Sequence, residues 1–157
     1  MTAAPSMVLP ASDFVLPDQD GRPWRLRDHL GGAPLMLVFF RGHWCPYCRR
    51  YLAKLQGRID IFSGRCHVVA ISPEPPATSR AFADELGLSF PILADEDGSV
   101  IDAWGVRNRF TSTGTILPHP AVFILDAGGV VRFRSIDRNY KKRTTMRRLR
   151  EALDAMA

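Results

Sequence analysis

Leu35 to Phe40 (LMLVFF) is a continuous apolar run that leads through a short turn into Cys45-Pro46-Tyr47-Cys48. No other stretch narrows the fold as much. An apolar run of this length, bounded by Gly31–Gly32 and by Gly42, suits a strand buried on both faces. Pro46 has the fixed φ of a first helical turn. Tyr47, Tyr51, Leu52, Leu55 and Ile59 then recur at helical spacing. The sequence therefore places two cysteines on the first turn of a helix that leaves a buried strand.

That position has chemical consequences. The free N–H groups and the dipole of a helix N-terminus favour an anion. The thiolate is the reactive form of cysteine, and such surroundings lower its pKa from ~8.5 to roughly 3.5–7.5. Two cysteines three apart on one turn can also close a disulfide without moving the helix. The other use of a C-x-x-C is half a zinc site, with Cys66-His67 as the only other half available. Cys66 opens the next strand, so a parallel sheet would put it at the end opposite Cys45. Two buried, inert cysteines are the bland alternative, but Gly42 and Trp44 suit a tight, partly exposed turn better than a core position.

The remainder of the chain alternates strands and helices. Residues 1–11 are expected to be a flexible leader and 12–157 a single domain. Asp13–Leu16 and Pro23–Leu26 flank the turn formers Asp18-Gln19-Asp20-Gly21, which predicts a hairpin. Val68–Ile71 reads as a strand, Ala77–Leu86 as a helix stopped by Gly87, and Phe90–Leu93 as a third strand. Ser99–Trp104 follows the Asp97–Gly98 turn as a short helix. Ala121–Leu125 and Val130–Arg134 flank Asp126-Ala127-Gly128-Gly129, a second hairpin signal. Met146, Leu149, Leu153 and Met156 share one face of a last helix. This order implies an α/β domain with a mixed central sheet covered by helices on both faces.

Composition removes several function classes. With three cysteines in 157 residues the chain has no secreted disulfide framework, and one thiol is left over. The start of the chain lacks a basic segment followed by an apolar run of signal length, and the longest apolar stretch is far short of a membrane span. A cytoplasmic protein with no membrane partner is the expectation. The net charge of +5 is concentrated between Arg132 and Arg150. Without a binding motif or interleaved aromatics that segment reads as a solvated face, not a nucleic-acid footprint. Trp24 and Trp104 are expected in the core, and Phe110 and Tyr140 on a substrate-facing surface.

Taken together, DFVLPDQDGRPWRLRDHL, FFRGHWCPYCRRYLAKLQ, ISPEPPATSRAFADELGLSFPILADEDGSV, AWGV and HPAVFILDAGGVVRF resemble the redoxin group. That group joins peroxiredoxins (alkyl hydroperoxide reductase/thiol-specific antioxidant) to thioredoxins. The resemblance runs from about Asp13 to the last helix. It implies a thioredoxin-like fold with an N-terminal β-hairpin extension. The peroxiredoxin pattern P-x-x-x-T-x-x-C, laid on this chain, puts the proline at Arg41, the threonine at Cys45 and the peroxidatic cysteine at Cys48. The family's peroxide-activating arginine falls on Pro120, so the chain is similar to a peroxiredoxin-like subgroup with a C-x-x-C motif.

The resemblance implies a thiol-dependent peroxidase or thiol–disulfide oxidoreductase that uses Cys45 and Cys48. Thioredoxin logic makes Cys45 the exposed nucleophile, while the peroxiredoxin register assigns the peroxide-reactive sulfur to Cys48. Trp44, Pro46, Tyr47, His119, Pro120, Arg41 and His43 are expected to support the site. His119–Pro120 would then be the cis peptide that thioredoxin folds hold beside the active sulfur. Substrates would be a hydroperoxide or a disulfide, and the reductant a thiol such as thioredoxin, glutaredoxin or glutathione. No organic cofactor and no metal is called for. The oligomeric state is expected to be a monomer or homodimer. The non-enzymatic alternative is a redox-sensing or metal-binding interaction domain on the same fold.

Overall fold

The computed structural model describes residues 7–8, 13–62, 65–112 and 114–156. β1 (Met7–Val8) precedes the hairpin β2 (Val15–Pro17) and β3 (Pro23–Arg25), which is followed by a single 3-10 turn at Leu26–His29. The central part runs β4 (Leu35–Phe39), α1 (Pro46–Gly57), α2 (Ile59–Phe62), β5 (His67–Ser72), α3 (Pro76–Leu86), β6 (Ile92–Ala94) and α4 (Ser99–Ala103). β7 (Ala121–Leu125), β8 (Val130–Ile136) and α5 (Met146–Met156) complete the chain.

These bounds follow from local chemistry. Asp18 closes the first hairpin by accepting the N–H groups of Asp20 and Arg22, each at 2.9 Å. α3 stops at Gly87, whose φ of 64° lies in the left-handed region that glycine adopts freely. The strand expected from Phe90 starts only at Ile92. Pro91 has no N–H for the ladder and contributes its carbonyl alone, to Ala70 N–H at 3.0 Å. Of the expected leader, only Met7–Val8 is described, and it pairs antiparallel with Val131 and Val130. Those two residues cover the outer edge of β8, which would otherwise present unpaired backbone groups. The rest of 1–11 lies outside the described residues.

The sheet has the order β1-β8-β7-β4-β5-β6. β4, β5 and β6 are parallel, while β7 runs antiparallel to β4 and to β8. It is the mixed sheet expected from the sequence. Alternation along β4 divides the core in two. Met36 and Val38 face a layer with Leu52 and Leu55 of α1, Phe82 of α3, and Leu149 and Leu153 of α5. Leu35, Leu37 and Phe39 face the opposite layer, built from Leu16, Trp24, Leu26, Val100, Ile101 and Trp104. All five β4 side chains are buried. Each contributes about 1.5–3 kcal/mol by leaving water. The N-terminal hairpin is thus part of the cover of one face, and both tryptophans sit in the core as expected.

One expectation fails here. No described peptide bond is cis, so His119–Pro120 is trans. The backbone on both sides of the bond is held in extended pairing. His119 N–H donates to the Val106 carbonyl at 2.7 Å, and the Pro120 carbonyl accepts Asp137 N–H at 2.9 Å. β7 begins immediately after, with Ala121 opposite Phe39 and Ile136.

The short helix α4 rests on one buried carboxylate. Asp95 accepts the Val100 N–H at 3.3 Å and the Ile101 N–H at 2.7 Å, two donors that the first turn leaves without partners. Asp95→Ala is expected to destabilise the fold by about 1–3 kcal/mol. Chemical denaturation of the variant beside the wild type measures this, and an unchanged midpoint would contradict it.

Candidate active site

Phe40 N–H donates to the Ile71 carbonyl at 3.0 Å and extends the β4–β5 pairing by one residue. The chain then leaves the sheet at Arg41. Gly42 permits the sharp turn that follows, since a Cβ there would collide with the Trp44 indole. Cys45 N–H donates to the Gly42 carbonyl at 3.3 Å and closes the turn. Cys45 is the N-cap of α1, with extended φ and ψ of −86° and 114°, and Pro46 occupies the first helical position. Cys48 stands one turn along. The first turn carries no acidic residue, so no side chain competes with a thiolate for the helix N-terminus.

Both sulfurs are buried. Cys45 is 1% and Cys48 0% exposed, and both thiols are free. The first cysteine is therefore not the exposed nucleophile the thioredoxin pattern implied. The exposure at this turn belongs to Trp44, at 49%. The Arg41 guanidinium carbon lies 5.0 Å from the Trp44 ring centre and 4.8 Å from that of Tyr140. This cation between two aromatic faces closes the turn over Cys45.

The electrostatics separate the two thiols. Burial works against a Cys45 thiolate, but hydrogen bonding from Cys48 and the Arg41 guanidinium outweighs it and holds this thiol below its ordinary value. Arg41 Nη1 is 3.8 Å from Cys45 Sγ. For Cys48, burial and the charge on Cys45 push the thiol up, opposed by the Arg41 N–H and the Arg143 cation. The Arg41 backbone N–H donates to Cys48 Sγ at 3.4 Å, and Arg143 Nη2 donates to the same sulfur at 3.1 Å. One negative charge on the pair is thus surrounded by two arginines and a helix N-terminus.

The other expected residues divide. Tyr47 meets Tyr140 edge to face at 5.7 Å and lies under Arg50 at 4.9 Å, forming a cationic, aromatic rim. His43 is engaged by Glu74 after β5, which accepts its backbone N–H and hydrogen-bonds its ring Nδ1. The His119 ring is buried and makes no hydrogen bond to either sulfur among the described residues. Burial, and then the Arg138 charge, hold it below the usual imidazole range. Pro120 borders a cavity of about 10 Å³ together with Tyr51, Asp137, Arg143 and Thr144.

Cys66 is elsewhere. Leu35 pairs with His67 at the start of two parallel strands, so Cys66 sits at the end of the sheet opposite Cys45. A C-x-x-C plus Cys66-His67 zinc site does not assemble. Burial pushes the Cys66 thiol up to about 11. Of the substrate-facing aromatics, Tyr140 reaches the site and is 44% exposed, while Phe110 is 91% exposed and makes no ring contact among those described. Arg143 was missed. It is 95 residues from Cys48, inside the basic segment read as a solvated face, and no local pattern marks it.

Comparison with known proteins gives a consistent picture. The model of the AhpC/TSA family matches residues 8–134. The thiol-disulfide oxidoreductase ResA of Geobacillus thermodenitrificans is 32% identical over 124 residues, covering 78% of this chain and 64% of that protein. The chain thus spans just under two thirds of that relative's length. Alkyl hydroperoxide reductase E of Mycobacterium tuberculosis is 32% identical over 126 residues, covering 78% of this chain and 80% of that protein. Among solved structures, the peroxidoxin BcpB of Mycobacterium tuberculosis superposes with a TM-score of 0.83 at 25% identity, over 97% of this chain and 98% of that one. Peroxiredoxin Q of Xanthomonas campestris shares the fold, with a TM-score of 0.84 at 21% identity over 99% of this chain and 100% of that one.

The lowered Cys45 pKa sets a pH dependence. The alkylation of Cys45 should lose rate, as pH falls, through a midpoint lower than that of an ordinary cysteine thiol. Arg41→Gln removes a favourable charge, so the midpoint should rise. Peptide-resolved alkylation rates across pH measure both, and an unchanged midpoint in the variant would contradict the role given to Arg41.

Proposed function

The chain belongs to the AhpC/TSA family of thiol-based peroxidases and oxidoreductases, and on that premise we propose that it is a peroxiredoxin-like antioxidant enzyme working through a Cys45–Cys48 redox pair. Its substrates are hydroperoxides, protein disulfides or both. The observation that carries the reading is the pair itself: two free thiols one turn apart at a helix N-terminus, with Arg41 Nη1 3.8 Å from Cys45 Sγ.

In disulfide exchange the Cys45 thiolate attacks one sulfur of the substrate. An S–S bond forms, the substrate bond breaks, and the released thiolate takes a proton. Cys48 then attacks Cys45, which frees the second substrate thiol and leaves a Cys45–Cys48 disulfide. With a hydroperoxide, Cys48 takes the oxygen as a sulfenic acid and Cys45 resolves it to the same disulfide with loss of water. Both sulfurs are buried. A small hydroperoxide therefore reaches them with less rearrangement than a folded partner, for which the Arg41–Trp44–Tyr140 stack must swing aside.

A thiol reductant such as thioredoxin, glutaredoxin or glutathione resets the pair. Such a cycle belongs in a reducing cytoplasm and requires no organic cofactor. No described helix is long and apolar enough to cross a membrane.

Single substitutions separate the two sulfurs. Cys45→Ser should abolish disulfide reductase turnover while leaving peroxide-dependent sulfenic acid at Cys48, read by a sulfenic-acid trap. Equal peroxide reactivity of Cys48→Ser and wild type would contradict this division. Stoichiometric oxidation of the wild type without turnover would replace the enzyme with a redox sensor.

A further inference from the structure

Arg50 and Lys54 of α1 and its C-cap Arg58 are exposed and spaced one helical turn apart, so they form a basic stripe that starts beside the cysteine pair. Arg50 lies against Tyr47 at the rim of the site. At its far end the stripe meets α5 in a groove of about 330 Å³, where Lys54, Arg58, Arg147 and Arg150 stand around Phe62 and Met146. Among the described residues no carboxylate lines this groove. Helix stability does not account for these charges. Like charges one turn apart repel along α1. Arg147 and Arg148 occupy the first turn of α5, which holds no acidic residue, and cations there oppose the helix dipole. Arg50, Lys54, Arg58 and Arg150 form no ion pair among the described residues, and Arg147 has only the exposed Glu151 at 3.6 Å. On other faces Arg49, Arg65, Arg80 and Arg107 are each paired with a carboxylate.

We infer that this face is the docking surface for an acidic dithiol protein that reduces the Cys45–Cys48 disulfide, with the partner's carboxylates seated in the groove between α1 and α5. The inference rests on the redox reading of the pair and adds where, and through which charges, the reductant docks. Charge complementarity selects an acidic partner, because the stripe and the groove offer cations that this chain leaves without carboxylates. Reach selects a protein. Along a helix axis Lys54 and Arg58 lie roughly 9 and 15 Å beyond Cys48. A small thiol bound in the groove cannot touch a sulfur from there, whereas one protein face of about 800 Å² covers both places. The mouth of the site supplies the apolar centre of such a face. Trp44 and Tyr140 are 49% and 44% exposed, and Arg50 and Lys141 lie beside them. Aromatic rings at the centre with charges around them are the ordinary anatomy of an interface. A partner that packs on these two rings also meets the stack that covers Cys45.

Once the stack opens, a thiolate of the docked partner attacks Cys45 sulfur. A mixed S–S bond forms, the Cys45–Cys48 bond breaks, and Cys48 leaves as a thiolate. The partner's second thiol loses its proton and attacks the partner's own sulfur in the mixed disulfide. The partner's disulfide forms and Cys45 leaves as a thiolate. Two electrons pass from the partner to the pair, and the two protons given up by the partner's thiols balance the two thiolates released.

The test oxidises the full chain with hydrogen peroxide and follows reduction of the Cys45–Cys48 disulfide by two reductants, a thioredoxin of net negative charge and the small neutral dithiol dithiothreitol. Wild type is compared with Lys54→Glu/Arg58→Glu/Arg147→Glu, which reverses three exposed charges outside the reacting pair. At low salt the reversal should slow reduction by thioredoxin at least about tenfold. High salt should slow the wild type toward the variant, because screening removes the attraction. Reduction by dithiothreitol should be the same in both proteins. If circular dichroism shows the reversal variant to be misfolded, Lys54→Gln/Arg58→Gln decides, with a smaller slowing in the same direction and the same indifference to dithiothreitol. A thioredoxin rate that ignores both the substitutions and the salt would overturn the inference, as would equal slowing with both reductants. Disulfide reduced by dithiothreitol and not at all by thioredoxin would overturn it too. So would retardation of a DNA duplex or an RNA by the wild type that the reversal variant loses, since the face would then belong to a nucleic acid. A wild type in which peroxide forms no Cys45–Cys48 disulfide would defeat the redox reading itself, and that failure shows before either reductant is added.

Discussion

A negative charge has to exist on sulfur at a place water does not reach, and the arrangement around the cysteine pair answers to that need. Both thiols lie inside the apolar layer that α1, α3 and α5 form against the sheet. Burial alone would keep them protonated and inert, as it does for Cys66 at the far end of the same layer. Cys45 and Cys48 differ from Cys66 in their surroundings: a helix N-terminus, and arginines at 3.8 Å and 3.1 Å from their sulfurs. Position in the fold, more than cysteine chemistry, separates the proposed redox pair from Cys66.

The fold brings these groups together from three directions. β4 delivers Arg41 and the turn, α1 delivers both sulfurs, and the segment between β8 and α5 delivers Tyr140 and Arg143. β7 and β8 make that last delivery possible: β7 runs antiparallel to β4 and β8 antiparallel to β7, so β8 ends at the end of the sheet where α1 begins. The Arg41 and Arg50 cations of the rim are held against the aromatic rings of Trp44, Tyr47 and Tyr140 by cation–π contacts.

What was legible in the sequence was local. The apolar run, Gly42, Pro46 and the cysteine spacing sit within fifteen residues and specify strand, turn and helix by short-range rules. The alternation of elements gave the mixed sheet for the same reason. What was not legible depends on contacts between distant segments. Arg143 approaches Cys48 across 95 residues, and the resemblance that left no arginine at Pro120 could not indicate that a cation arrives from another loop. His43 looked like a site residue by proximity in sequence, yet Glu74 on the neighbouring strand's exit takes its ring. The trans His119–Pro120 bond and the burial of Cys45 likewise follow from strand pairing and from a stacked arginine that no periodicity encodes.

The central claim is that Cys45 and Cys48 are the redox couple and Cys66 is a bystander. Cleavage after Arg41 and Arg49 leaves both active-site cysteines on one peptide, residues 42–49, with Cys66 on another. Mass mapping after one equivalent of hydrogen peroxide tests the claim directly. The account predicts that the 42–49 peptide becomes lighter by two hydrogens while the Cys66 peptide keeps its free thiol. A dominant link to Cys66, or peroxide consumed with the 42–49 peptide unchanged, would contradict it.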